Sequence, residues 1–335
     1  MTGVCIDLAS LRDLAIRALR NAGTNANAAA AVADALVAAE ADGQAGHGLS
    51  RLASYADQVR SGKVDGSAEP VIRRPAPAAV VADARNGFAY PAIAQGLNTG
   101  LAAAREVGVA AVAIANSHHF GMAGYHVEKV ARQGGVALVF GNSPAAIPPW
   151  GGNKALFGTN PIAFACPRLH GDPLVVDLSL SKVARGKIMV AAQKGQPIPE
   201  DWAVDAEGRP TTDAKAALAG AMLPMGGAKG AALVLMVEIL ATCFTGANFG
   251  FEASSFFEAE GPPPRVGQLF LILRPEAFGT TGFVDRVEAL CSAILAQPGT
   301  RLPGERRYEA RRSAEAQGVI LPQALYDDLA RRGAA

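Results

Sequence analysis

The sequence is poor in the features that mark several common classes. Its 335 residues hold only four cysteines, Cys5, Cys166, Cys243 and Cys291, scattered and never spaced as CxxC. That excludes a disulfide framework and fits a reduced, cytoplasmic protein with buried thiols. Thirty-one Lys and Arg against 30 Asp and Glu leave a net charge of +1, so there is no nucleic-acid footprint and no acidic tail. The opening MTGVCIDLASLRDL lacks a basic stretch ahead of an apolar core, and no secretory signal is expected. The longest apolar run, Ala231 to Gly246, is short for a membrane span and carries Glu238 at its middle, which predicts a buried helix in a protein without membrane contact. Internal repeats and low-complexity tails are absent. So are GxGxxG, the dinucleotide fingerprint, and the GxxxxGK[ST] phosphate loop.

What is present is hydrophobic mass. Half the residues are apolar, enough for a large core, and the length favours two lobes. Helical spacing predicts helices over Asp7–Ala22, Ala28–Ala41 and Leu49–Val59, forming an N-terminal helical lobe. Gly23 stops the first, and Thr24 or Asn25 caps the second. From Glu69 short strands follow: Ala78–Ala82, the VAAVAIA run after Gly108, Val136–Phe140, Ile162–Cys166, Leu174–Leu178 and Gln268–Leu273. Helices are predicted over Ile93–Val107 and near Tyr125. After Gly282 the chain is helical again, over Phe283–Ala296, Glu305–Gln317 and Leu321–Arg332. Irregular Gly- and Pro-rich connections break any regular βαβ alternation.

Polar groups able to do chemistry crowd into Asn116–Pro167, among glycines and strands. His118 and His119 follow a strand end. No third ligand stands at a standard spacing beyond His126, so no metal is expected; one histidine buried and hydrogen-bonded, the other exposed, is the plain expectation. His47 lies in the glycine-rich Gln44–Gly48 loop with Arg51 four residues on. An imidazole can pass a proton near neutral pH and a guanidinium can grip a carboxylate in two bonds. A helix beginning at His47 or Gly48 would put both on one face; the plain alternative is a cap and a solvated arginine. Asp177 ends the strand LVVDL, where a carboxylate can bind ribose, orient an imidazole, or merely cap the next segment. Gly226–Gly230, with Lys229, offers N–H groups for phosphate at a helix start. Gly141-Asn-Ser143-Pro-Ala145 is the nearest approach to a nucleophile elbow, but the proline and the missing second glycine argue against one.

Seven segments in order resemble the type-2 malate/L-lactate dehydrogenase family over essentially the whole length: HGLSR (47–51), SHHFG (117–121), PWGG (149–152), FGTNPIAFA (157–165), DLSLS (177–181), PxGGxKG (224–230) and PGER (303–306). The resemblance implies an NAD(P)-dependent oxidoreductase, NADP(H) favoured, acting on small 2-oxo, 2-hydroxy or cyclic imino acids. It implies an α/β (α+β) chain with a non-Rossmann, largely antiparallel mixed sheet over 71–282, a helical lobe from 1–70 with 283–335, and a homodimer. It makes His47 the acid-base, Arg51 the carboxylate clamp and Thr159 a substrate contact, with His119 a second acid-base candidate. It places His119, Phe120 and Gly121 beside the cofactor. Asp177, Leu178, Ser179, Ser181 and Lys182 would hold the nucleotide, with Ala228, Lys229, Gly304, Glu305 and Arg306 closing over it. Within the family, GHGLSR, SLSKVARGK, AKGAAL and EASSFF look most like (2R)-3-sulfolactate dehydrogenases. The Δ1-piperideine/Δ1-pyrroline-2-carboxylate reductases share LPxGGxKGxAL and RxPGERRY, but pair their histidine with a serine and an aspartate where this chain has Gly46 and Lys187.

Overall fold

Helix caps and alternating apolar runs set the elements; the computed structural model describes residues 3–279 and 281–334. Strand β1 (Gly3–Ile6) leads into α1 (Leu8–Asn21), where the Asp7 carboxylate accepts from the Ser10 N–H at 2.9 Å. Asn25 accepts from the Ala28 N–H at 2.8 Å and starts α2 (Ala26–Ala41). Both caps satisfy first-turn donors that have no partner inside the helix. Two separate 3-10 turns follow, Ala45–His47 and Leu49–Arg51, before α3 (Leu52–Arg60). The helix expected over Leu49–Val59 is present with a 3-10 first turn, but His47 lies in the separate turn before Gly48, so the expectation of a helix beginning at His47 or Gly48 with both side chains on one face is corrected. The break sits at Gly48, where any Cβ would collide with the Glu40 carboxylate, itself accepting the Leu49 N–H at 2.9 Å.

Next come β2 (Val71–Ala76), β3 (Ala79–Asp83), α4 (Ala89–Val107), β4 (Val109–Ser117) and α5 (Ala123–Ala131). Then follow β5 (Val136–Gly141), β6 (Ile162–Cys166), β7 (Leu174–Leu178), α6 (Arg185–Lys194), β8 (Ala203–Val204), α7 (Ala214–Ala219) and β9 (Ala221–Met222). The chain finishes with α8 (Ala228–Thr242), β10 (Val266–Leu273), α9 (Phe283–Leu295), α10 (Glu305–Gln317), β11 (Val319–Pro322) and α11 (Gln323–Ala334).

The main sheet has seven strands in the order β2-β3-β4-β10-β5-β6-β7. Only β3 and β4 run parallel; the other neighbours are antiparallel. Val112, Ile114, Val139, Phe270 and Ile272 fill its centre and pack beneath α4 and α5. A second core joins the two ends of the chain: Leu11, Leu36, Leu49 and Tyr55 share it with Val319, Leu321 and Leu329. The strand pair β1–β11, which helical periodicity does not foretell, locks that closure. A third cluster gathers Phe140, Ile147, Leu180, Ile188, Met222 and Val234. The apolar run expected to be a buried helix is α8, and only one of its faces is covered. Val234, Val237 and Ala241 are buried, whereas Leu235, Met236 and Ile239 stand 47%, 43% and 45% exposed. Among the described residues no helix is long and apolar enough to cross a membrane.

Between lobe and sheet lies a buried ion network. Arg311 donates to Asp42 at 2.6 Å and to Glu128 at 2.7 Å, and Arg307 donates to Glu128 at 2.5 Å. Removing one partner of such a group strands the other charges away from water. Glu128→Ala is expected to cost about 3–5 kcal/mol, read as a lower denaturant midpoint with an unchanged slope.

Candidate active site

The two 3-10 turns, the β4 and β7 ends, and the Gly158–Pro161 turn converge on one cleft. It has two halves of about 460 and 540 Å³. His47, His119, Ser143, Thr159, Ser179, Ala184 and Phe256 border both and so mark the junction. Here the His47 and His119 rings stack, with centroids 5.8 Å apart and planes 19° from parallel.

Each histidine is set by its neighbours. Burial first, and then the Arg51 charge, press the His47 pKa down to about 4. The ring is only half-buried by surface, so the depression belongs to a group at the wall of a narrow cleft, and Arg51 is the part a substrate can change. His119 is lowered well below its ordinary value by burial, then by Arg51. Tyr55 Oη lies 2.6 Å from His119 Nδ1 and 3.1 Å from Tyr90 Oη. Burial holds the Tyr55 hydroxyl up at about 12, so it keeps its proton. With Tyr90 donating to Tyr55 and Tyr55 to Nδ1, both buried hydroxyls are used, and the tautomer assigned from that network leaves His119 Nε2 as an N–H donor. His118 reverses the expectation for the pair. It is the buried one, yet neither ring nitrogen has a hydrogen-bond partner among the described residues. It is packed edge-on to Tyr55 at 5.3 Å and to Phe88 at 5.9 Å.

The half-cavity beyond His47 holds Arg51. Its Nε donates to the Gly46 carbonyl at 2.7 Å and its guanidinium lies 4.7 Å from the centre of the Phe257 ring. Segment 255–260 is itself clamped from α3 and the turn that follows it. The buried Lys63 ammonium donates to the carbonyls of Ser255, Glu258 and Glu260 at 2.7, 2.9 and 3.1 Å, and Gln58 adds bonds to Phe256 and Glu258. Phe256 is thereby held 5.0 Å from the His119 ring. Thr159 donates its N–H to Ser143 Oγ at 3.0 Å, and a side chain at Gly158 would collide with the Ser143 backbone. Asn160 follows at φ 40° and donates to Glu238 at 2.7 Å; Glu238 also accepts the Gly250 N–H at 2.7 Å. The lone acid of the apolar run thus ties the turn to the loop before segment 255–260.

The other half-cavity holds Asp177, whose carboxylate accepts the Gly124 N–H at 2.6 Å at the start of α5. A Cβ at Gly124 would sit 2.7 Å from the Arg307 guanidinium and 3.0 Å from the Asp177 carboxylate, so a larger residue would displace one or both. Burial raises the Asp177 pKa, opposed by that N–H and by Arg307, while the residue's surface stays open to the cleft. Arg301, Arg306 and Arg307 line the same half, and Arg307 Nη1 is a buried donor with no hydrogen-bond partner among the described residues.

Of the residues singled out in the sequence, the cleft gathers His47, Arg51, His119, Phe120, Gly121, Thr159, Asp177, Leu178, Ser179, Gly304 and Arg306. Five others stand off its walls. Ser181 is buried with its hydroxyl on the Val183 carbonyl, Lys182 pairs with Asp201 at 3.0 Å, and the Glu305 carboxylate accepts the Leu302 N–H. Ala228 and Lys229 are exposed at the start of α8. Sequence reading passed over Tyr55, Phe256, Arg185, Arg301 and Arg307, all of which touch this chemistry. All but Tyr55 had a signal: Phe256 lies in EASSFF, Arg185 in SLSKVARGK, and Arg301 and Arg307 in RxPGERRY.

A paired-imidazole cleft with Arg51 on one side and a carboxylate with three arginines on the other has the chemistry to take an anionic substrate beside a nucleotide. Residues 6–330 match the family described as Malate/L-lactate dehydrogenase, and the chain belongs to that family. It is 53% identical to a (2R)-3-sulfolactate dehydrogenase (NADP(+)) of Chromohalobacter salexigens, over 97% of this chain and 96% of that protein. It is 41% identical to a Δ1-pyrroline-2-carboxylate/Δ1-piperideine-2-carboxylate reductase of Pseudomonas putida, over 96% and 95%. Among solved structures it superposes on the Δ1-piperideine-2-carboxylate reductase of Pseudomonas syringae with a TM-score of 0.94 at 40% identity, covering 98% of this chain and 99% of that one. The sulfolactate dehydrogenase of Methanocaldococcus jannaschii gives a TM-score of 0.91 at 30% identity, covering 98% and 96%.

Proposed function

We propose that this chain is an NADP(H)-dependent dehydrogenase interconverting a small 2-hydroxy acid and its 2-oxo acid, with (2R)-3-sulfolactate/3-sulfopyruvate preferred and malate- or lactate-type acids next. The observation that carries this reading is the stacked His47–His119 junction between the Arg51 half and the Asp177 half of the cleft. The nicotinamide, when bound, supplies or accepts the hydride at C2. His47 moves the hydroxyl proton: neutral, it accepts it during oxidation, and protonated, it returns it during reduction. Arg51 holds the carboxylate, His119 donates through Nε2, and Thr159 borders the reacting carbon. Asp177 suits ribose hydroxyls, Leu178 and Ser179 line the same wall, and Phe120, Gly121, Gly304 and Arg306 complete it. Arg301 and Arg306 are exposed arginines where the extra phosphate of NADP would need cations. Ser181 and Glu305 support that wall from behind, and Lys182, Ala228 and Lys229, which lie off the cavity, would meet the nucleotide on the family resemblance alone.

The nucleotide on this reading lies on a mostly antiparallel sheet rather than a doubly wound parallel one. Residues 71–282 form that sheet domain, and 1–70 with 283–335 form the lobe that brings His47 and Arg51 to it. The uncovered face of α8 suits a second copy of the chain, giving a homodimer. Four free cysteines suit the reducing cytoplasm.

The pH profile tests the proton assignment. A base with pKa about 4 is already neutral at pH 5, so kcat/KM for hydroxy-acid oxidation is expected to be flat from about pH 5 to 8. In reduction the free enzyme must be protonated, and kcat/KM is expected to fall about tenfold per pH unit over that range. An inflection in either profile near the ordinary histidine value would overturn the depressed His47.

A second reading, a cyclic imino acid reductase, is favoured by the 40% identity and near-complete superposition on the Pseudomonas syringae enzyme. A third class, a catalytically silent nucleotide-binding protein, binds NADPH without turnover. NADPH and NADH oxidation with sulfopyruvate, oxaloacetate, pyruvate and Δ1-piperideine-2-carboxylate separates the three. Turnover confined to the imine sinks the dehydrogenase; none at all leaves the silent scaffold.

A further inference from the structure

The half-cavity that holds Arg51 has a second cationic wall. Arg185, the first residue of α6, lines it together with Ala184, Gly186 and Met189, and does not line the Asp177 half. The first turn of α6 has no acidic residue and no side-chain cap, so its N–H groups and the positive end of its dipole add to the guanidinium. Among the described residues neither Arg51 nor Arg185 forms an ion pair; the nearest in sequence is Lys182 with Asp201. Glu258 is the one acid on this half, and its backbone is held back by Lys63 and Gln58. A substrate with one carboxylate occupies Arg51 and leaves the part-exposed Arg185 guanidinium without a counter-charge inside the cleft. A substrate with two acidic groups satisfies both.

Resting on the dehydrogenase reading above, we infer that Arg185 binds the second acidic group of a doubly charged 2-oxo acid, a sulfonate or carboxylate on C3, while Arg51 binds the first. Arg185 is then the residue that separates dianionic substrates from pyruvate and from cyclic imino acids, which carry a single carboxylate. It acts on specificity and takes no part in the proton or hydride step.

The test is kcat/KM for sulfopyruvate, oxaloacetate and pyruvate in wild type, Arg185→Met and Arg185→Lys, with NADPH affinity measured in each by fluorescence titration. Losing one charge-assisted contact is expected to lower the two dianion values about 30- to 100-fold in Arg185→Met, with pyruvate nearly unchanged. Arg185→Lys recovers part of the loss, because the charge returns without the fork. Lys194→Met, at the far end of α6, removes the same net charge and leaves the ratios unaltered. Equal losses on pyruvate and the dianions, or a loss that follows weaker NADPH binding, overturn the inference. If wild type turns over no 2-oxo acid at all, it is the dehydrogenase reading that fails.

Discussion

His47→Ala is expected to lower kcat at least about 100-fold in both directions, the usual size of a general acid-base contribution, while NADPH binds as before. The side chain meets the cleft at the junction of its halves, beside the reacting carbon on this reading, and lies in neither the Asp177 carboxylate's contacts nor those of Arg306 and Arg307. Stopped-flow reduction and equilibrium titration give both numbers. His119→Ala is the comparison. That ring is held by Tyr55 as an N–H donor, so its loss removes one hydrogen bond to substrate or cofactor and not the proton carrier. The two variants should therefore differ by pH profile as well as size, and near-wild-type turnover in His47→Ala would hand the acid-base role to His119.

Arg51→Met is expected to cost about 100- to 1000-fold in kcat/KM, in line with truncating one side of a desolvated charge pair. It should also do something that a plain binding residue would not. Arg51 is one of the causes that depress His47, so its removal should move the acid limb of the oxidation profile up from about 4 toward the ordinary imidazole value. On the proposed reading, a carboxylate bound at Arg51 would offset the same charge in the wild type and relieve the smaller, electrostatic part of the depression. A variant that weakens binding while leaving the profile where it was would separate the clamp from the tuning and remove Arg51 from the latter.

The strands were legible because β-branched runs bounded by glycine and proline leave little choice. Ile162–Cys166 and Leu174–Leu178 fall where alternation puts them, and the family motifs were enough to assign the family. What was hidden depended on partners far along the chain. The separation of the His47 turn from the helix that starts at Leu49 coincides with Glu40 reaching under Gly48, a contact no periodicity contains. Glu238 read as an oddity in an apolar helix because its partners, Asn160 and Gly250, are 78 residues before and 12 after it. Strands β1 and β11 are four residues each and pair across the whole chain, so neither carries a local signal. The exposed face of α8 looks identical to a buried one in composition alone.

That β1–β11 pairing has a consequence for synthesis. The core that seats the His47 turn needs Val319, Leu321 and Leu329, which are made after every strand of the main sheet. The sheet's strands are all made by Leu273, so its packing can proceed while the N-terminal helices wait for their partner. His47, the acid-base of the proposed reaction, is thus translated before the sheet yet seated after it, and a chain interrupted before β11 would carry a nearly finished sheet and an unsupported His47 turn.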